Sequence, residues 1–445
     1  MSDRRTSRIA SALAFAGLLT AGGAAHAQSL LTLYDAAHGY DASYLSARAL
    51  FESTPYRIEQ TEALMRPSAA VAASTSRVEV NPPIFQNYGG WSNAASVNAR
   101  QPLFNPGNRA TIRQAERSLE SAQADLDTAE QDLILRLSQA YFDVLGAEDT
   151  LRTTRANKTA IAEQLASAKR NFEVGTATIT DTREAQARFD LATAQEIAAD
   201  NDLVTKRIAL DQLVGRQNVE PAKLVTSVSL QSLEPGTVDD WVRLAETQHP
   251  AIRRASVALE VAQLEVEKAK AARLPTVDAV GSVASARGPN GGTQGSILGT
   301  NTTASVGLQL NFTLYSGGAV QNRINETQVL ESRARDDLES ARRTVTQATR
   351  QAYYTLSSGA AQVRALEAAE ASSQLALEAT QLGYRVGVRV NIDVLNAQTQ
   401  LYQTQRDLAR ARYDVLLGSL RLRQAAGRVT AQDVATIDRL LDHQP

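Results

Sequence analysis

The sequence predicts an α+β chain made of two copies of one unit, each a pair of strands attached to very long helices. The first observation is an internal match at an offset of 212 residues. Phe172-Glu173-Val174-Gly175 answers Tyr384-Arg385-Val386-Gly387, and the same spacing pairs Tyr141 with Tyr353, Asp181 with Asp393, Ala185-Gln186 with Ala397-Gln398, and Gly215 with Gly427. A register kept this long means a repeated structural unit. The second is the absence of helix breakers. Asn108 to Asn171 contains one glycine, Gly146, and Ala319 to Leu382 only Gly359, with no proline in either. The third is a strict alternation from Thr303 to Tyr315, where Val306, Leu308, Leu310, Phe312 and Leu314 are apolar and Ser305, Gly307, Gln309, Asn311 and Thr313 are small or polar. A period of two is a strand with one apolar and one wet face.

In chain order, residues 1–27 read as a secretory signal. Arg4, Arg5 and Arg8 form a basic start, Ile9 to Leu19 is mostly apolar, and Ala25-His26-Ala27 is a small-x-small cleavage pattern. A membrane anchor is the alternative, but this run is shorter than the roughly 20 residues a spanning helix needs. Cleavage would leave Gln28 first. Losing Asp3, Arg4, Arg5 and Arg8 would move the net charge from −2 to −4, no balance for binding nucleic acid. The chain has no cysteine, hence no disulfide, thiolate metal site, thiol nucleophile or lipid-anchor cysteine. No later window approaches 18 consecutive apolar residues. Such an exported chain is soluble in the periplasm, secreted, or part of an outer-membrane barrel.

The first repeat, 28–215, opens with a helical segment from about Leu33 to Met65 that ends at Pro67. A strand from about Pro67 to Val80 follows, then a loop from Asn81 to Trp91 and a strand through Ala95, Val97, Ala99 and Leu103. In that loop Trp91, beside Tyr88, suits either an interfacial aromatic or a loop anchor. The long helix carries a seam of Ala115, Leu119, Ala122, Leu126, Ala129 and Leu133. Its alternating steps of four and three are coiled-coil packing. At about 1.5 Å per residue, a helix of 64 residues reaches roughly 96 Å. A turn at Gly175 then folds the chain back into a helix from Asp181 to Val214, ended by Gly215. Asp181 and Glu184 look like an N-cap and its N3 partner.

Residues 216–240, with Pro221 and Pro235, link the copies. The second repeat, 241–427, opens with a helical segment from Trp241 to Leu274, interrupted at His249-Pro250, where Pro250 suits a first helical position. A strand from Pro275 to Arg287, a Gly/Pro/Asn-rich loop from Gly288 to Asn301 and the alternating strand follow. The second long helix repeats the seam with Ala334, Leu338, Ala341, Val345, Ala348 and Ala352. The helix after Gly387 runs from Asp393 to Ala426. The tail, 428–445, reads as a loose counterpart of the linker.

The apolar strand face would pack on a core in a soluble sheet, or face lipid in a membrane barrel whose other face lines water. Segments of about ten residues suit a tilted membrane strand. Four strands cannot close alone, because the smallest barrels have about eight. A barrel would therefore be shared between chains.

The chain resembles the TolC family of bacterial outer-membrane efflux proteins. The likeness rests on Ala140-Tyr141-Phe142-Asp143-Val144-Leu145, on Phe172-Glu173-Val174-Gly175 with Ile179-Thr180-Asp181, and on the string from Tyr384-Arg385-Val386-Gly387 through Arg389 and Asp393-Val394-Leu395-Asn396-Ala397-Gln398 to Leu401-Tyr402. It implies a homotrimer in the outer membrane, with a twelve-stranded barrel continued by a helical tunnel across the periplasm. Its function would be an exit duct of a tripartite efflux or type I secretion system. A periplasmic adaptor and an inner-membrane RND or ABC transporter would recruit it, and drugs or proteins would pass through. On this reading Val306, Leu308, Leu310 and Phe312 face outer-membrane lipid, while Gln309 and Asn311 face the pore. The resemblance also maps a closing network onto Thr180, Asp181, Tyr384 and Arg389, near the turns at Gly175 and Gly387, with an Arg389–Asp181 pair. An acidic ring maps onto Asp393. The family's second acidic position is Asn396 here, so the ring would carry three carboxylates rather than six.

Other readings find less support. The glycines from Gly288 to Gly299 precede no helix, so they form no phosphate loop. His26, His38, His249 and His443 are scattered and make no triad or metal set. No enzyme, catalytic residue, cofactor or metal is expected. A soluble periplasmic coiled-coil adaptor is the alternative function.

Overall fold

The computed structural model describes residues 28–80, 88–225, 236–292 and 295–441. The expected signal segment, 1–27, lies outside these residues, as does His443. The helices are α1 (Leu30–His38), α2 (Ala42–Glu62), α3 (Pro106–Glu173), α4 (Ile179–Val214), α5 (Val238–Gln248), α6 (Pro250–Ala271), α7 (Ala319–Arg385), α8 (Asn391–Ala425) and α9 (Ala431–Asp438). A short 3₁₀ turn, Ala63–Met65, follows α2. The strands are β1 (Ser68–Val80), β2 (Tyr88–Phe104), β3 (Thr276–Gly292) and β4 (Gly295–Asn311). At 68 and 67 residues, α3 and α7 are unbroken through the stretches that lack proline.

Two compact units are present, and each draws on both repeats. One contains 46–130 and 241–348 and holds the four-stranded antiparallel sheet, in the order β1-β2-β3-β4. Its register aligns the alternation across all four strands. Val71, Val97, Val283 and Ala304 form one row, and Ala69, Ala99, Gly281 and Val306 form the next but one. Val306, Leu308 and Leu310 continue this face with 94%, 73% and 65% of their surface exposed. The opposite face carries Asn98, Ser282 and Ser305, and at one end Arg100, whose Nη2 donates to Asp278 Oδ2 at 2.7 Å. β1 and β4 are edges, each paired on one side only.

Both strands of the second hairpin are longer than expected and displaced. The anticipated loop from Gly288 to Asn301 is mostly strand, because the backbone ladder continues to the pair Gly292–Gly295 without needing apolar side chains. Gly288 permits this: a Cβ there would come within 2.9 Å of Ser92 Oγ on β2. At the other end β4 stops at Asn311, paired with Thr276. The next residue along its partner is Pro275, which has no N–H to extend the ladder. Phe312 and Leu314 therefore lie beyond the strand, and the assignment of Phe312 to the lipid-facing strand is corrected. Trp91 belongs to β2, opposite Arg77, rather than to a loop. Within this unit His249 caps α6, its Nδ1 accepting from Ala251 N at 3.1 Å, with Pro250 first in the helix as expected.

The other unit contains residues up to 45, 131–240 and 349–445. Its core is built from Leu30 and Leu33 of α1, Leu133, Ile134, Leu137, Tyr141 and Leu145 of α3, Leu210 of α4, and Leu420 and Leu422 of α8. On α7 the buried position passes from the expected Ala348 to Thr349, whose hydroxyl donates to Ala425 O at 2.9 Å. The tail carries α9. Thr430 and Asp433 form a capping box, and Val434 and Ile437 bury one side of α9. A clasp joins three distant segments here. Gln28 N donates to Glu220 O at 2.8 Å, Ala222 N to Gln28 O at 3.2 Å, and Val225 N to Leu440 O at 3.1 Å. Tyr141 is buried beneath it and donates its hydroxyl to Ala222 O at 2.8 Å. Burial pushes its phenol pKa up.

Candidate functional site: the paired hairpin turns

The two helix hairpins end in turns of one design. Gly175 and Gly387 take φ of +79° and +81°, a left-handed conformation that costs glycine little. Gly175 N bonds Phe172 O at 3.0 Å and Thr176 N bonds Asn171 O at 2.8 Å. In the second copy Gly387 N bonds Tyr384 O at 3.1 Å and Val388 N bonds Gly383 O at 2.9 Å. These bonds satisfy carbonyls that the helix ends would otherwise leave open.

The hairpins pack on each other just behind the turns. Leu395 of α8 is buried with Ile161, Leu165 and Ala168 of α3 and Ala185 and Ala192 of α4. Leu377 of α7 packs with Val394 and Leu401, and Tyr384 lies against them. Polar ties cross between hairpins: Asn171 Nδ2 donates to Tyr384 Oη at 3.2 Å, Arg188 Nη2 to Asn396 Oδ1 at 3.1 Å, and the Gln164 amide to the buried Asn391.

The capping residues sit three positions earlier than expected. Thr178 is the N-cap of α4 and Asp181 its N3 partner. Thr178 Oγ1 accepts from Asp181 N at 3.2 Å, and Asp181 Oδ2 accepts from Thr178 N at 3.0 Å and from its hydroxyl at 2.7 Å. Asp181 is thereby occupied, and the Arg389–Asp181 pair does not form within the chain. Arg389 instead pairs with Asp393, four residues on, at 3.6 Å. Its side chain lies over Gly383, where a Cβ would come within 2.8 Å of Arg389 Cγ. Thr180 is exposed on the first turn of α4. Sequence reasoning missed Gln164, Asn171, Arg188 and Asn391. Asn391 interrupts an apolar face and gave a signal; Asn171, Arg188 and Gln164 look like ordinary helix-surface residues.

The model of the outer membrane efflux protein family matches residues 33–216 and 241–428, one match over each repeat. The chain belongs to the outer membrane efflux protein family. Among relatives, it is 32% identical over 351 residues to the outer membrane protein TolC of Vibrio cholerae, covering 78% of this chain and 79% of that one. It is 31% identical over 359 residues to TolC of Escherichia coli (78% and 72% covered), and 32% identical over 348 residues to the alkaline protease secretion protein AprF of Pseudomonas aeruginosa (78% and 72%). Among solved structures it matches the outer membrane protein VceC of Vibrio cholerae at a TM-score of 0.77 and 19% identity, covering 90% and 96% of the chains. The Campylobacter jejuni CmeC outer membrane channel matches at 0.79 and 17%, covering 93% and 90%. This family consists of channel proteins, and the chain is an outer-membrane exit duct. Its fold is that of the homotrimeric channels, in which three chains of four strands form one twelve-stranded barrel.

Proposed function

We propose that this duct accepts cargo from an inner-membrane pump of the RND or ABC class through a periplasmic adaptor, and that the paired hairpin turns are its gate. The observation that carries this reading is the set of polar ties between the hairpins at Asn171–Tyr384 and Arg188–Asn396, in a region otherwise held by apolar packing. Exposed apolar residues at both turns, Val174, Val386 and Val388, offer a dry surface to the adaptor. Drugs and secreted proteins are both compatible with a duct that grips nothing tightly.

Thr180, Asp181, Tyr384 and Arg389 line the gate in this reading, and Asp393 contributes one carboxylate from each copy to the acidic ring. Val306, Leu308 and Leu310 face lipid, and the Asn98–Ser282–Ser305 face lines the pore. Each exposed hydrogen bond or ion pair at the turns contributes about 1 kcal/mol or less. Threefold repetition brings the total to a few kcal/mol, within reach of an adaptor that binds the open state better. Single-channel recording in planar bilayers tests the gate. Tyr384→Phe combined with Arg389→Ser should raise conductance while trimers assemble normally. Parental conductance in that variant would remove both residues from the gate.

A further inference from the structure

We infer that a groove at the foot of the sheet binds the headgroup of an anionic phospholipid from the periplasmic leaflet. The inference rests on the reading that the face of Val306, Leu308 and Leu310 meets lipid. The groove, of about 710 Å³, lies where the end of α6 meets the starts of α3 and α7. Its floor is apolar: Pro106 and Ala110 of α3, Ala271 and Leu274 at and just after the end of α6, and Ile324 of α7. Arg113, Lys270 and Arg273 are exposed along it, with one carboxylate, Glu267.

Its side of the sheet follows from α3. Arg113 pairs with Glu267, and Arg109, one turn earlier on the same helix face, holds its guanidinium carbon 5.8 Å from the centre of the Phe104 ring. Phe104 pairs with Val277, and Val277 with Leu310, so this ring lies in a row of the lipid-facing side. The groove and Arg109 therefore sit beneath that side, at the helical and hence periplasmic end of the sheet. Four cations meet one carboxylate there. Arg109 and Lys270 have no carboxylate partner among the described residues, and Arg273 donates to the neutral side chain of Gln321. Nearby Glu265 is taken up by Gln114, Arg323 and Lys268. Acyl chains rising from a headgroup in the groove would lie over Phe104 and Leu310 while its phosphate meets the cations. Basic clusters beside an apolar surface recognise anionic lipid in this way. A zwitterionic headgroup brings its own ammonium and fits the positive excess less well.

The test uses the full-length trimer, stripped of native lipid in maltoside detergent and titrated with phosphatidylglycerol or phosphatidylethanolamine of the same acyl chains. Native mass spectrometry counts the bound lipids. Wild type should take up one phosphatidylglycerol per chain, about tenfold more tightly than phosphatidylethanolamine. Arg109→Gln combined with Lys270→Gln should abolish that preference while heat-resistant trimers still form. Arg323→Gln, which removes a cation from the Glu265 cluster, should keep it. Equal affinity for the two lipids in wild type, or an undiminished preference in the double variant, would overturn the proposal. Displacement of the lipid by excess inorganic phosphate would also overturn it, leaving a site for a free anion. The lipid-facing reading is checked separately in nanodiscs of brominated phosphatidylcholine, where Val306→Trp should add a quenched tryptophan and Ser305→Trp an unquenched one. Quenching in Val306→Trp without lipid preference would sink the groove alone; its absence would sink the face assignment and the groove with it.

Discussion

The two repeats share a register but live in different surroundings. Tyr141 and Tyr353 occupy equivalent positions, and each donates to a linker carbonyl: Tyr141 to Ala222 at 2.8 Å, deep in the core, and Tyr353 to Gly236 at 2.9 Å, in a solvent-exposed position. Arg136 makes a bidentate pair with buried Asp41 at 2.9 and 3.0 Å; its counterpart is Ala348, which makes none. Thr178 caps α4 with its side chain, whereas the equivalent Val390 leaves α8 with no side-chain cap. The burial pattern divides the helices in the same way. α8 hides Val394, Leu395, Leu401, Leu408, Leu416 and Leu420, while α4 leaves Leu191, Ile197, Val204 and Ile208 exposed. Duplication supplied one scaffold, and each copy then acquired the contacts its own neighbours required. The open edges of β1 and β4 are where a chain of this trimeric fold has strands left to pair with its copies.

The contrast can be broken most forcefully at the sheet. Val306→Lys, well inside β4, should cost on the order of 2–4 kcal/mol and deplete heat-resistant trimers in the outer-membrane fraction, whereas Ser305→Lys on the other face should cost little. Equal defects would erase the distinction between the two faces.

Next comes the Asp41–Arg136 pair. The Arg136 hydrogen bond, first among the causes, lowers the Asp41 pKa below its ordinary 3.8. Its contribution is therefore fully present above that value and is lost as pH falls through the lower folded value. Asp41→Asn should destabilise by about 2 kcal/mol at neutral pH, the range for a hydrogen bond to a charged group. The gap between the denaturation curves of wild type and variant should shrink in acid, and a gap constant with pH would count against the pair.

The tyrosines give a smaller and more pointed test. Tyr141→Phe leaves Ala222 O unpaired in a buried place and should cost about 1–2 kcal/mol. Tyr353→Phe lets water take over and should stay within about 0.5 kcal/mol. Hydrogen–deuterium exchange across residues 219–225 should quicken only in the first variant.

Smallest is the cap. Thr178→Val gives α4 the second copy's N-cap residue and should cost about 1 kcal/mol, read as faster amide exchange at Thr180 and Asp181. Unchanged exchange would show that the side-chain cap is dispensable and that the copies differ less here than their hydrogen bonds suggest.

The sequence by itself determined the repeat, the α+β class, the unbroken α3 and α7, the alternating faces and the left-handed turns at Gly175 and Gly387. Each is encoded in periodicity or in a local backbone requirement that neighbouring residues carry among themselves. Only the tertiary structure decided where β4 stops, that the tail forms α9, that Thr349 replaces Ala348 in the core, and that Arg389 turns to Asp393. Where β4 stops and which residue of α7 is buried depend on groups far apart in the chain. Pro275 ends the ladder of a strand some 36 residues later, and Ala425 supplies the carbonyl that draws in Thr349. Asp181 serves the cap at Thr178, and Arg389 finds its carboxylate one turn away in Asp393. Pattern along a chain fixes what each segment can become, but the choice among partners is a competition between contacts that exists only once the segments have met.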